Sequence, residues 1–200
     1  MKSKLLRLFI LFLLSLFLSS CLSLTSGLSH QNSGAGSLSL EYRLNKKAIG
    51  IQKDSINSSN LIPLPLSRND FDEMTAQAPG ITLRSFSETE DSDYVYIETE
   101  VNYESLNDLS SFLGFPIEFS SSGNLDTLVL KIYEAEAAVS SDTQSILDSV
   151  FVDDTLSFEF SFPRNVINSS YGAVNGRTVT YEISLPDVYR QSGFIWTLEW

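Results

Sequence analysis

The chain holds one histidine, His30, and one cysteine, Cys21. Zinc centres and Cys–His pairs need several such groups gathered in one place, so metal and thiol chemistry have little to work with. His30 falls in a Ser/Gly-rich stretch, whereas a ligand or catalytic histidine needs rigid support around its ring. No chemical role is expected of it. Glu159 and Glu182 are two carboxylates that a hydrolase could use as acid and base without any histidine. Each occupies a polar position in an alternating strand, and a solvated sheet face explains both. The acidic run Glu88-Thr-Glu-Asp-Ser-Asp93 lacks the Gly and the closing Glu of an EF-hand loop, and it reads as a solvated turn. No catalytic residue, metal site or cofactor is therefore expected, and the chain does not read as an enzyme.

The amino terminus says more. Met1 to Lys4 form a short basic start, and Leu8 to Leu18 follow as an apolar run of eleven residues broken only by Ser15. A spanning helix needs about 20 apolar residues, so this run reads as an export signal over residues 1–20. The sequence after it, Leu18-Ser19-Ser20-Cys21, resembles the lipobox of bacterial lipoproteins. That resemblance implies cleavage before Cys21 and acyl chains on its sulfur. With no second cysteine, an internal disulfide is excluded. Loss of Lys2, Lys4 and Arg7 with the signal takes the formal charge from −12 to about −15. Clustered Lys and Arg are what phosphate binding requires, so a nucleic-acid partner is excluded. Leu22 to Ser37 show no sustained period, which predicts a flexible tether over residues 21–36 with a reach of about 20–25 Å. Leu22 following the cysteine, in place of Asp, resembles the outer-membrane sorting pattern of enteric bacteria. The implied location is the outer membrane if the organism has one, and otherwise the outer face of the cell membrane.

The remaining 37–200 stretch, 42% hydrophobic over the whole chain, is long enough for one domain with its own core. Leu38, Leu40, Tyr42 and Leu44 alternate with polar neighbours, as in a strand buried on one face. Ala48 to Gln52 are expected to pair back on it, and Asp54 to Asn60 to be loop. Ser67 with Asp70 forms a capping signal before Phe71 and Met74, and Pro79-Gly80 closes that helix. Ile81 to Ser87 and Tyr94 to Tyr103 read as a hairpin. Ser105 starts a second helix with Leu106, Leu109 and Leu113 on one face, and Ala135 to Phe151 contain a third helical stretch. Ile117 to Ser120 and Leu125 to Glu134 form another strand pair. Leu156, Phe158, Phe160 and Phe162 share a strand face, as do Phe194, Trp196, Leu198 and Trp200. Between them Asn175-Gly176 predicts a tight turn with positive φ, and Leu185 to Arg190 a helical turn. The fold class is α+β: a twisted, mostly antiparallel sheet with two or three short helices packed on one face. An outer-membrane barrel is disfavoured by the capped helices.

Phe162-Pro163, Val166, Ser169-Ser170, Gly172, Val174 to Tyr181 and the closing aromatic strand resemble the end of the LppM-type lipoprotein domain, with Tyr181 at a position where that family has Trp. The resemblance implies an α+β domain held at the envelope, contacts with lipids or glycolipids, and no transferred catalytic residue. Two functions follow as expectations. One is a binding module whose groove, lined by aromatics such as Tyr94, Tyr96, Tyr171 and Trp196, accepts a lipid, glycolipid or other envelope component. The other is a structural or surface lipoprotein whose partner is an envelope protein docking on an exposed sheet edge. An enclosed apolar pocket favours the first, and a filled core with an exposed surface the second. Under both, the membrane is a partner through the acyl chains on Cys21.

Overall fold

The computed structural model describes residues 22–46, 64–134, 144, 145, 148, 151 and 154–200. In chain order the strands are β1 (Leu22–His30), β2 (Gly36–Asn45), β3 (Ile81–Glu90), β4 (Tyr94–Tyr103), β5 (Ile117–Ser122), β6 (Leu125–Glu134), β7 (Thr155–Ser161), β8 (Asn168–Ser169), β9 (Ala173–Asn175), β10 (Thr178–Ser184) and β11 (Gly193–Glu199). Three short helices accompany them among the described residues: α1 (Arg68–Gln77), α2 (Leu106–Leu113) and α3 (Leu185–Arg190). The class is α+β and the pairing mostly antiparallel. The strands divide between two sheets, however, where one was expected. A seven-stranded sheet runs β3-β4-β2-β1-β7-β10-β9, and a four-stranded sheet runs β5-β6-β11-β8.

The tether expectation is overturned. Leu22 to His30 form β1, which lies inside the larger sheet, antiparallel to β2 from Leu22↔Leu44 to His30↔Gly36. Its other side runs parallel to β7 from Leu24↔Leu156 to Ser29↔Ser161. The alternation is present but disguised. Leu28 is buried at an inward position, and Ser26 and His30 are buried at the same parity, so two polar residues interrupt the apolar series. The domain therefore includes Leu22 to His30, ahead of Ser37.

The two sheets meet through aromatic side chains. Phe158, Phe160 and Phe162 face Phe194, Trp196 and Trp200, with ring centroids 5.8, 4.7 and 4.5 Å apart in successive pairs. Phe194, Trp196, Leu198 and Trp200 are all but inaccessible. Large aromatics at alternate positions on facing strands fill the space between two sheets at the density of a protein interior.

The helices are bounded by local chemistry. Ser67 Oγ accepts from the Asp70 amide at 3.3 Å, and the Asp70 carboxylate accepts from the Ser67 amide at 2.9 Å, closing a capping box at α1. At α2 and α3 the Oγ of Ser105 and Ser184 likewise accepts from the amide of Asp108 and Asp187, but the carboxylate in return accepts from the serine hydroxyl. On α2 the buried set is Leu106, Leu109 and Phe112, so Phe112 takes the place expected for Leu113. In the turn between β9 and β10, Gly176 carries a positive φ, +61°, and Asn175 does not. Thr178 pairs with Asn175, so the two-residue loop is Gly176-Arg177, one place later than the Asn-Gly reading. The expected strand at Ala48–Gln52, the loop at Asp54–Asn60 and most of the helical stretch Ala135–Phe151 lie outside the described residues.

Candidate attachment end and sheet face

Cys21 and residues 1–20 lie outside the described residues, but the strand that follows Cys21 fixes where an attachment there would sit. Leu22 already pairs with Leu44. Around that end of the sheet gather Asn45 at the close of β2, Tyr94 at the start of β4, Thr155 at the start of β7, and Ser184, where β10 runs into α3. The β3–β4 turn hangs from the same end. There Asp91 Oδ1 accepts from the amides of Asp93 at 2.8 Å and Tyr94 at 2.7 Å, while Oδ2 accepts from Tyr96 Oη at 2.8 Å. The two backbone amides, and then the Tyr96 hydroxyl, hold the Asp91 carboxyl below its ordinary pKa. The acidic tip is thus a structured turn. Lys46 Nζ bridges to Glu90 at 2.9 Å and donates to the Asp91 carbonyl at 2.6 Å. Arg43 lies over the Tyr94 ring, 5.4 Å from its centroid.

The opposite end holds His30. Its Nδ1 lies 3.1 Å from Tyr103 Oη, and its ring meets Trp200 edge-on at 5.7 Å and Phe119 at 6.1 Å. The expectation that His30 lacks rigid surroundings does not hold. It is packed between the two sheets, with Phe119, 47% exposed, as the outermost ring. Burial lowers the His30 pKa, and the Asp126 carboxylate acts in the opposite sense. Asp126 is itself held by Arg164 at 2.5 Å, and Arg164 also donates to the Trp200 carbonyl at 3.1 Å. Backbone bonds in both directions between Asp126 and Trp200 fasten the last strand. Gly36 closes the cluster: a Cβ there would lie 2.0 Å from the Ser29 carbonyl and 2.3 Å from Tyr103 Oη, so only glycine fits.

The four aromatics expected to line one groove fall into two separate places. Tyr94 and Tyr96 sit side by side, centroids 6.2 Å apart, near the Leu22 end. Trp196 is fully buried, and half-buried Tyr171 packs on Tyr181, Phe194 and Trp196. Trp196 Nε1 donates to Ser169 Oγ at 2.8 Å. These last residues belong to the core. Glu159 and Glu182 are exposed, opposite Thr180 and Ser157 respectively, on the outer face of the seven-stranded sheet. Among the described residues no group of three or more His, Cys, Asp or Glu is placed to hold a metal ion.

That outer face carries a shallow groove of about 320 Å³, lined by Thr25, Ser39, Glu41, Ser85, Glu98 and Glu100 among others. Glu41 stands directly across from Glu98, and Ser39 across from Glu100. The step that opens it is a bulge in β3 between Leu83 and Ser85, with Thr99 Oγ1 donating to the Ser85 carbonyl at 3.0 Å. Sequence reasoning missed both this groove and the His30 cluster, because each depends on β1 joining β2 and β7. Among the described residues no helix is long and apolar enough to cross a membrane.

Comparison with family models returns no match, and neither does comparison with curated proteins. Among solved structures the chain is similar to the folded domain of the Mycobacterium tuberculosis LppM protein, determined by NMR. The TM-score is 0.46 at 12% sequence identity, over 90% of this chain and 89% of that one.

Proposed function

We propose that the protein is a lipoprotein of the bacterial cell envelope, cleaved before Cys21 and held on a membrane by acyl chains there. Its domain works without catalysis, by presenting its outer surface to another envelope component. The observation that carries this reading is the aromatic filling between the sheets. Phe158, Phe160, Trp196 and Trp200 fill the described space between the two sheets, which favours surface presentation over an enclosed lipid there. The groove across β1 to β4 faces outward and is lined by hydroxyls and carboxylates together with Leu40 and Phe86. Such a surface suits a protein partner that offers basic and hydrogen-bonding groups, and β3 at the sheet edge gives it a strand to approach. Glu88 and Glu90 are exposed on that edge, and charge at an edge opposes pairing with a second copy of the same acidic chain.

Intact mass of the native protein, with native mass spectrometry of the same sample, tests both halves. The expected result is added hydrocarbon on Cys21 and no other amphiphile. A lipid or glycolipid retained at near-unit stoichiometry would replace surface presentation with the binding-module reading. A photocrosslinker at Ser87 is expected to capture an envelope protein in intact cells, whereas one at Asn168, on the far edge of the smaller sheet, is not. Equal capture at both sites would remove the sheet face from the proposal.

A further inference from the structure

The position of β1 decides how the domain stands on its membrane. No free residue separates Cys21 from the sheet: Leu22 is paired with Leu44, and two residues later β1 is also paired with β7. A strand held on both sides cannot swing away from the sheet without breaking its ladders. A sixteen-residue tether would have let the domain wander by some 20–25 Å in any orientation; a paired strand does not. We propose that the domain stands upright on the lipid surface, its Leu22 end apposed to the headgroups and its His30–Trp200 end carried outward. This rests on the reading of Cys21 as the acylated residue.

The composition of the two ends agrees with that direction. At the Leu22 end, Tyr94 and Tyr96 stand together beside Arg43, which lies 5.4 Å from the Tyr94 centroid. Lys46 is close by. Tyrosines with adjacent cations are the side chains found at bilayer interfaces, where the ring meets the acyl boundary and the charge meets phosphate. Two basic residues of this acidic chain are placed here, alongside Glu90, Asp91 and Asp93 of the adjoining turn. The eight residue steps from Leu22 to His30 carry the other end about 26 Å away, at roughly 3.3 Å per residue. That end bears the exposed side of Phe119 and the β5–β6 turn. It is the end presented to whatever lies beyond the membrane surface.

The test uses the full, acylated protein in phosphatidylethanolamine/phosphatidylglycerol vesicles that contain a lipid with a nitroxide headgroup. Thioether formation consumes the Cys21 thiol, so Ser92→Cys and Ser121→Cys each offer one free thiol for a fluorophore. Both positions are exposed and lie at opposite ends of the molecule, Ser92 in the β3–β4 turn and Ser121 near the end of β5. The Ser92 probe is expected to be quenched several-fold more than the Ser121 probe. An insertion of roughly twelve Gly/Ser residues between Cys21 and Leu22, with a reach of about 20 Å, is expected to erase the difference. Equal quenching without the insertion overturns the upright arrangement. A difference that survives the insertion overturns the role of the missing tether. Intact mass of the same preparation separates these from failure of the anchor, since a chain without acyl groups refutes the lipoprotein reading itself.

Discussion

His30 sits where a proton would be costly. Its ring is enclosed by Tyr103, Phe119 and Trp200, and burial depresses its pKa below the ordinary value. In the unfolded chain the same imidazole titrates near 6.5. Below that pH the unfolded state binds a proton that the folded state resists, so stability falls as pH drops from about 6.5 toward the folded pKa. The slope can reach about 1.4 kcal/mol per pH unit for one proton. Asp126 facing the ring moderates the effect, and Arg164, paired to Asp126 at 2.5 Å, limits that moderation. Urea midpoints measured at pH 7 and pH 5.5 are expected to differ in the wild-type protein. They should differ less in His30→Phe, which keeps an aromatic ring in the cluster but cannot be protonated. Parallel pH dependence in the two proteins would mean that His30 takes up its proton in place. The variant also loses the 3.1 Å contact to Tyr103 Oη, whose remaining bond is to the Ser29 carbonyl at 3.3 Å. It is therefore expected to be somewhat less stable at pH 7, by about 1 kcal/mol.

Strand β1 makes the sharpest demand at the level of elements. It joins β2 to β7, so the larger sheet is continuous only through it. Leu28 is buried between Leu38 on one side and Phe160 on the other. A fragment spanning residues 22–200 is expected to fold cooperatively, while one starting at Ser37 loses a central strand and is not. Circular dichroism with a urea titration of each fragment decides this, and cooperative unfolding of the shorter one would place β1 outside the folding unit. Most other elements were legible from side-chain periodicity and capping. Phe158, Phe160 and Phe162 alternate without interruption, and Ser67, Ser105 and Ser184 each stand three residues before an Asp whose amide they accept. β1 was not legible, because its inward positions include Ser26 and His30 and its outward ones include Gly27. Polar residues at core positions erase the pattern that marks a strand, and only the neighbours supplied by tertiary structure make them acceptable. The candidate site was readable to the same degree. Cys21 stands out by its place after an apolar run, whereas the groove across β1 to β4 depends on registers between strands up to about seventy residues apart, which no local pattern encodes. The split into two sheets escaped for the same reason: alternation marks which face of a strand is apolar but not which strand lies beside it.

For the molecule as a whole, the proposed acylation would set two forces against each other at a membrane, and their sizes decide the outcome. The chain is strongly acidic, with a formal charge of −12 before any processing, and an anionic bilayer repels it. Surface potential acts only within a Debye length, about 8 Å at physiological ionic strength, so charges farther along the roughly 26 Å sheet count for little. At the Leu22 end, Glu90, Asp91 and Asp93, with Asp148 and Asp187 beside α3, are set against Arg43, Lys46 and Arg190. Among these the acidic groups exceed the basic ones by two, and at about 1 kcal/mol for each charge near the surface the net repulsion is on the order of 2 kcal/mol. Against it would stand the acyl chains proposed on Cys21, each buried methylene contributing about 0.8 kcal/mol, where two chains suffice for stable anchoring. The acylated protein is therefore expected to remain on vesicles whether they are zwitterionic or anionic, its bound fraction changing less than about two-fold between 20 and 200 mM salt. The unacylated 22–200 domain is expected to float free of both, since its rim has neither the net positive charge nor the apolar area to hold it. Flotation of the two forms with each vesicle type reads this directly. Retention of the unacylated domain on anionic vesicles, lost on raising the salt, would transfer the holding force from the acyl chains to Arg43 and Lys46. A loss of the acylated form from anionic vesicles at low salt would instead show that repulsion from the acidic body outweighs the acyl chains, which charges confined to a short Debye length do not allow.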